Sequence, residues 1–249
     1  MYLTEPQLFD NVKKQLQYKF NGYTGVFTSL LIVQVIGILL GIGTSGGSHT
    51  SYSETLTVIR NTSSNDIVVM FTLFWAFITG ILITTTAYRN DAFTFVSNRL
   101  SHHLSSILFL LASSVFAGIT AILTGSLIKF ITLIWTKEAF VETPGLLNTP
   151  SDFFIQIGTA VAYMVLFAGI GYAIGSFTQR SMMFVPFLFL AIFSLPLLFI
   201  SMNISVAEYL IFFYGPEQSF LLFITKVFGT VLLLFVLSII VTNRKEVRR

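Results

Sequence analysis

The chain has 249 residues, of which 54% are hydrophobic and only 10% charged, with a formal net charge of +3. Soluble domains carry about 25% charged residues, so this sequence lacks the charge to cover a water-facing surface and reads as an all-α polytopic membrane protein. It has no cysteine, which excludes disulfides and thiolate metal centres.

Taken in order, residues 5–20 predict an amphipathic helix at the membrane surface. Leu8, Phe9, Val12, Leu16 and Phe20 share one face, whereas Lys13, Lys14, Gln15 and Gln17 point away from it. Basic residues beside an apolar stripe suit anionic lipid. No signal peptide precedes the first apolar run, which is expected to be retained as a span from Thr24 to Ile42. Gly37 and Gly41 within it are spaced for a close helix contact. Residues 43–66 form a polar excursion rich in Ser, Thr and Gly, with a short strand expected around Tyr52–Ile59.

A second span is expected over Ile67–Ala87 and a third over Ile107–Ile134, the latter longer than the roughly 20 residues a bilayer needs. Lys129 and Trp135 stand where interfacial anchors belong. Asp152 would cap a fourth span, Phe153–Phe177, in which Gly171 and Gly175 are spaced for helix packing. A fifth, Met182–Met202, contains Pro186 and Pro196 and should be kinked. Residues 203–218 are too short to span and read as an outer re-entrant segment ending at Gly215-Pro216. The sixth span is Ser219–Val241.

Between spans two and three, residues 90–104 carry the clearest stripe among the polar connections. Phe93, Val96, Leu100, Leu104 and Ile107 fall on one face, and Asn90, Asp91, Thr94, Ser97, Asn98, Ser101, His102 and Ser105 largely on the other. A mere turn between spans needs far fewer residues, so this connector is expected to be an amphipathic helix lying in the interface or against a partner, the plainer reading being an interfacial helix with no partner. Six spans place both termini on one side, with Lys13, Lys14, Lys19, Arg89, Arg99, Arg180, Arg244, Lys245, Arg248 and Arg249. The opposite loops hold Arg60 and Lys137. This asymmetry predicts cytoplasmic termini and a cytoplasmic connector.

Signs of catalysis are sparse. The sequence has no phosphate-binding GxxxxGK[ST], no HExxH and no GxSxG, and its carboxylates fall at or beyond the ends of the spans rather than within them. His102 and His103 are adjacent, not spaced as helical metal ligands. Lys226 is the one charge well inside a predicted span. With Glu208 and Glu217 nearby in sequence, it is a candidate for a translocation path or outer gate, against the plainer reading of a lysine snorkelling to the interface. No catalytic, metal or cofactor residue is assigned, and no nucleic-acid partner is expected.

The order of these parts resembles the membrane subunit of a bacterial ATP-binding-cassette exporter of the second permease class. The likeness rests on the amphipathic N-terminal helix, six spans, the helix after span two and the apolar excursion before span six, and covers residues 1–249 as one permease domain. It implies that residues 90–104 are a coupling helix docking on a separate ATPase subunit, which holds ATP and Mg. The docking residues would be Asp91, Phe93, Val96, Asn98, Leu100, His102 and Leu104. It also implies a second permease chain, identical or sister, a bacterial plasma-membrane location, and outward movement of an apolar or amphipathic cargo such as a peptide, antibiotic or lipid-like molecule. The competing readings are a membrane receptor or assembly factor, and an intramembrane enzyme without a familiar motif. Orientation is directly testable. With single cysteines at Ser51 and Ser97 in intact cells, an impermeant maleimide should label Ser51→Cys and spare Ser97→Cys.

Overall fold

A computed structural model describes residues 8–44, 47–53, 56–62, 65–88, 99–136, 149–180 and 219–243. Six helices and one hairpin make up these residues. The elements are α1 Leu8–Gly22, α2 Thr24–Thr44, β1 Gly47–Ser53, β2 Leu56–Thr62, α3 Asp66–Thr84, α4 Arg99–Thr136, α5 Pro150–Arg180 and α6 Phe220–Asn243. From α2 onward, all five helices are long and apolar enough to cross a membrane.

Contacts along the helices fix their directions. Gln34 of α2 meets Thr120 of α4, and Gly41 lies beside Ile128, so α2 and α4 run together. Ser29 of α2 meets Trp75 of α3 while Gly37 meets Val68, so α3 returns. Helix α5 descends beside α3, with Gly80 near Ala168 and Gly175 near Thr84. Helix α6 follows α5 in the same direction, pairing Tyr163 with Phe223 and Tyr172 with Phe235. The chain thus leaves α5 at the end of the bundle where α1 sits, here called the base, and enters α6 at the opposite end.

Helix α5 is the centre of the bundle, touching α3, α4 and α6. Its approach to α3 is close enough that a Cβ on Gly80 would collide with the Ala168 carbonyl, and one on Gly171 with the Phe77 carbonyl. Missing side chains at these positions let the two backbones meet, which is how helices gain packing contacts in lipid. Gly171 and Gly175 therefore pack as their spacing predicts, against α3. Gly37 and Gly41 likewise face α3 and α4 within the same chain.

Several expected boundaries move. The helix that holds the third span starts at Arg99, not Ile107, and runs unbroken for 38 residues, about 57 Å at 1.5 Å per residue; its span-like stretch is Leu100–Ile128. Helix α5 begins at Pro150, with the Phe153 amide bonded to the Thr149 carbonyl. Proline is suited to a first helical position because the missing N–H has no partner there, so Asp152 sits in the first turn rather than capping. Helix α3 ends at Thr84, where Thr85 turns extended with ψ 157°. The polar excursion is an antiparallel hairpin, pairing Gly47 with Thr62 and Ser53 with Leu56. Tyr52 and Ile59 thus lie in opposite strands rather than one; apart from this hairpin every described element is helical, as the all-α class predicts. The side chains of Lys129 and Trp135, the whole of 181–218 and the C-terminal basic run lie outside the described residues.

The close α3–α5 crossing makes a sharp prediction for glycine replacement. Gly171→Ala should destabilise the bundle by about 1–3 kcal/mol through overpacking. Gly25→Ala and Gly229→Ala, where no atom lies within 4 Å of the added carbon, should stay within about 1 kcal/mol of the parent. Thermal unfolding of the purified protein in detergent distinguishes the two classes.

Candidate functional site at the base of the bundle

Charged side chains are scarce in this chain, and several uncharged polar ones join particular helix pairs. Trp75 Nε1 donates to Ser29 Oγ at 2.9 Å, joining α3 to α2. Gln34 Nε2 donates to Thr120 Oγ1 at 2.9 Å, joining α2 to α4. Asn65 precedes α3 yet makes no capping bond to it; its amide donates to the Ala121 carbonyl of α4 at 2.7 Å.

The densest polar group lies at the base, between α1 and the first turns of α4. Lys19 is 2% exposed. Its Nζ donates to Ser105 Oγ at 2.8 Å, Ser106 Oγ at 2.7 Å and the His102 carbonyl at 3.4 Å. Three acceptors match the three N–H bonds of an ammonium, but none carries charge. Burial therefore pulls the amine down from its ordinary value of 10.5 to about 7. Both serines also donate to the His102 carbonyl, at 2.9 and 2.8 Å. Ser105 further approaches Gln15 Oε1 at 3.1 Å, while Gln15 Nε2 is buried with no partner among the described residues. One turn along α4, His103 Nδ1 and the Tyr172 hydroxyl of α5 are 2.6 Å apart. A neutral imidazole accepts the phenol proton there when its own proton is on Nε2.

Aromatic rings complete the joint. Tyr23, the single residue between α1 and α2, packs on Tyr88 at a ring distance of 4.6 Å and donates to the Tyr88 carbonyl at 3.4 Å. Phe20 packs on Phe109 of α4 at 5.2 Å. The elbow from Lys19 to Tyr23 thus holds both ends of the connector, Tyr88 before it and the start of α4 after it.

This arrangement shows which face of the opening turns of α4 is turned inward. Leu100 and Leu104, read as partner-docking residues, face outward with Leu108 at the edge of the bundle. His102, also read as a partner-docking residue, is buried instead, as are Ser101 and Ser105. Residues 99–104 are the opening turns of α4 and not part of a separate helix. Inside a bilayer nothing drives apolar side chains away from lipid, whereas polar groups must find one another. Asp91, Phe93, Val96 and Asn98 lie outside the described residues, as do Glu208 and Glu217. Lys226 is half-buried in the second turn of α6.

Sequence reading missed the joint because it put Gln15 on the outer face of α1 and gave Lys19 only a topological role. A signal was present. Val12, Gln15 and Lys19 are spaced by three and four residues, and all three are buried. Among the described residues, no group of three or more His, Asp or Glu is placed to hold a metal. Comparison with protein-family models, curated proteins and solved structures finds no match to this chain. Tyr172→Phe should cost about 1–3 kcal/mol, because it leaves the buried His103 nitrogen without its hydroxyl. A lowered midpoint in thermal unfolding is the expected result.

Proposed function

We propose that this chain is the permease subunit of an ATP-driven exporter, similar to the second permease class. ATP and Mg are held by a separate ATPase subunit, and a second permease chain completes the pathway for an apolar or amphipathic cargo. The observation that carries this reading is the grip of the α1–α2 elbow on both ends of the connector. Tyr23 holds Tyr88 on the near side, and Lys19 holds the start of α4 on the far side. A push on residues 89–98 is thereby delivered to α1, α2, α3 and α4 together, and through His103 and Tyr172 to α5. Force transmission of this kind is what a transporter needs and a passive anchor does not.

The parallel course of α5 and α6 supports a sixth crossing between Arg180 and Ser219. With it, both termini fall on the base side. The basic excess on that side supports a plasma-membrane protein with a cytoplasmic base.

The test is purification from the native membrane with and without Phe93→Asp and Val96→Asp in the connector. Loss of a co-purifying ATPase and of cargo export, at unchanged membrane abundance, is the expected outcome. Full retention of the ATPase by the variant would remove the docking role. Recovery of some other connector-dependent partner, with no ATPase in either sample, would favour a receptor or assembly factor.

A further inference from the structure

The hydrogen bonds around Lys19 belong to an interface between two helices, not to one helix. Helix α1 reaches the bundle chiefly through α4, and the residues it buries are Val12, Gln15 and Lys19. One ionisable group therefore sits in the middle of a small contact. We propose that the α1–α4 joint is a proton-operated latch, closed when Lys19 is neutral and loosened when Lys19 carries a proton.

The groups around Lys19 define how it responds. From α4 it meets the Ser105 and Ser106 hydroxyls and the His102 carbonyl. The His102 and His103 rings are buried on the same turns, 5.8 Å apart, and add positive charge whenever they are protonated. From α5, Tyr172 faces His103; Tyr88, following α3, faces Tyr23. On α1 itself, Lys13 and Lys14 are exposed and share its sign, and Asp10 is exposed more than two turns away. Among the described residues no carboxylate faces the amine, and none of them offsets desolvation of the ammonium with a full negative charge. The two serines keep the His102 carbonyl as an acceptor whether or not the lysine is charged. The neutral latch thus leaves their hydroxyls satisfied.

The direction follows from proton linkage. Burial in the closed joint pulls the amine down to about 7, from its ordinary value of 10.5. Between these values the open joint binds more protons than the closed one. Raising the pH through that window favours closure by about tenfold per unit. Below the lower value both forms hold the proton, and closure is weakest and independent of pH. An acid shift on the base side would release α1 from α4 and uncouple the elbow from the connector.

The absence of native cysteines allows a direct measurement in lipid nanodiscs, with no transport or ATPase assay. Its failure would leave the permease reading untouched, and failure of that reading would leave the latch untouched. Val12→Cys reports the buried contact and Gln17→Cys, on the exposed face, corrects for thiol reactivity at each pH. With a methanethiosulfonate reagent, the ratio of the two rates reads the open fraction when reclosing outruns labelling. The expected ratio is flat below about pH 6.5 and falls about tenfold per unit between pH 7.5 and 9.5. Lys19→Met and Lys19→Gln, both neutral, should abolish the slope, and Lys19→Arg should give a high ratio at every pH. A flat ratio with Lys19 present, or a slope that survives in both neutral variants, would overturn the latch.

Discussion

The contact on which the bundle depends is the crossing of α3 and α5, where two helix backbones meet without intervening side chains. Gly80 and Gly171 face carbonyl groups of the opposite helix, and Gly175 faces Thr84. In water such a contact would be a small part of a core driven together by solvent. In lipid, apolar surface gains nothing by leaving its surroundings, so close packing and hydrogen bonding take over as the forces that select partners. Once α3 and α5 are joined, α2 packs on α3, α4 on both of them, and α6 on α5. Tyr172 then touches His103 of α4 and Phe235 of α6 within a single turn of α5.

Against that apolar frame, the buried polar bonds act as address labels. Ser29 with Trp75, Gln34 with Thr120, and Asn65 with the Ala121 carbonyl each join two elements at one height along the bundle. A rotation or slide of any helix would leave these groups facing hydrocarbon, where an unpaired polar atom is costly. Register is set in this way even though each bond is worth only about 0.6–2 kcal/mol in a membrane. The α5–α6 contact shows the alternative, using tilted and edge-on aromatic rings, Tyr163 on Phe223 and Tyr172 on Phe235.

At the base the same economy turns into mechanics. Lys19, Phe20 and Tyr23 occupy barely more than one helical turn, yet they reach α4 and Tyr88 beyond α3. A short elbow with contacts on both sides of a connector behaves as a lever, because displacement of the connector cannot be absorbed by either end alone. Burying a lysine in that elbow costs stability in the charged state. Its retention beside two serines and a carbonyl gives the lever a dependence on proton concentration that a methionine or leucine would not supply.

How much of this was legible beforehand is clearest in residues 99–108. Composition alone set the membrane class, and the length of apolar runs set the helices to within a few residues for α2 and α6. Both quantities follow from bilayer thickness, which acts on the chain one residue at a time. The spacing of Gly171 and Gly175 also predicted a packing face. What the sequence could not determine was the rotation of each helix about its axis. Leu100 and Leu104 made an apolar stripe that in water would point inward, and in the bundle they point out. Ser101, His102, Ser105 and Ser106 made a polar stripe that in water would point out, and they are buried. The periodicity is identical in both solvents; only the presence of Lys19 and Gln15 on a neighbouring helix decides which face is inside, and that neighbour lies more than eighty residues away in the chain.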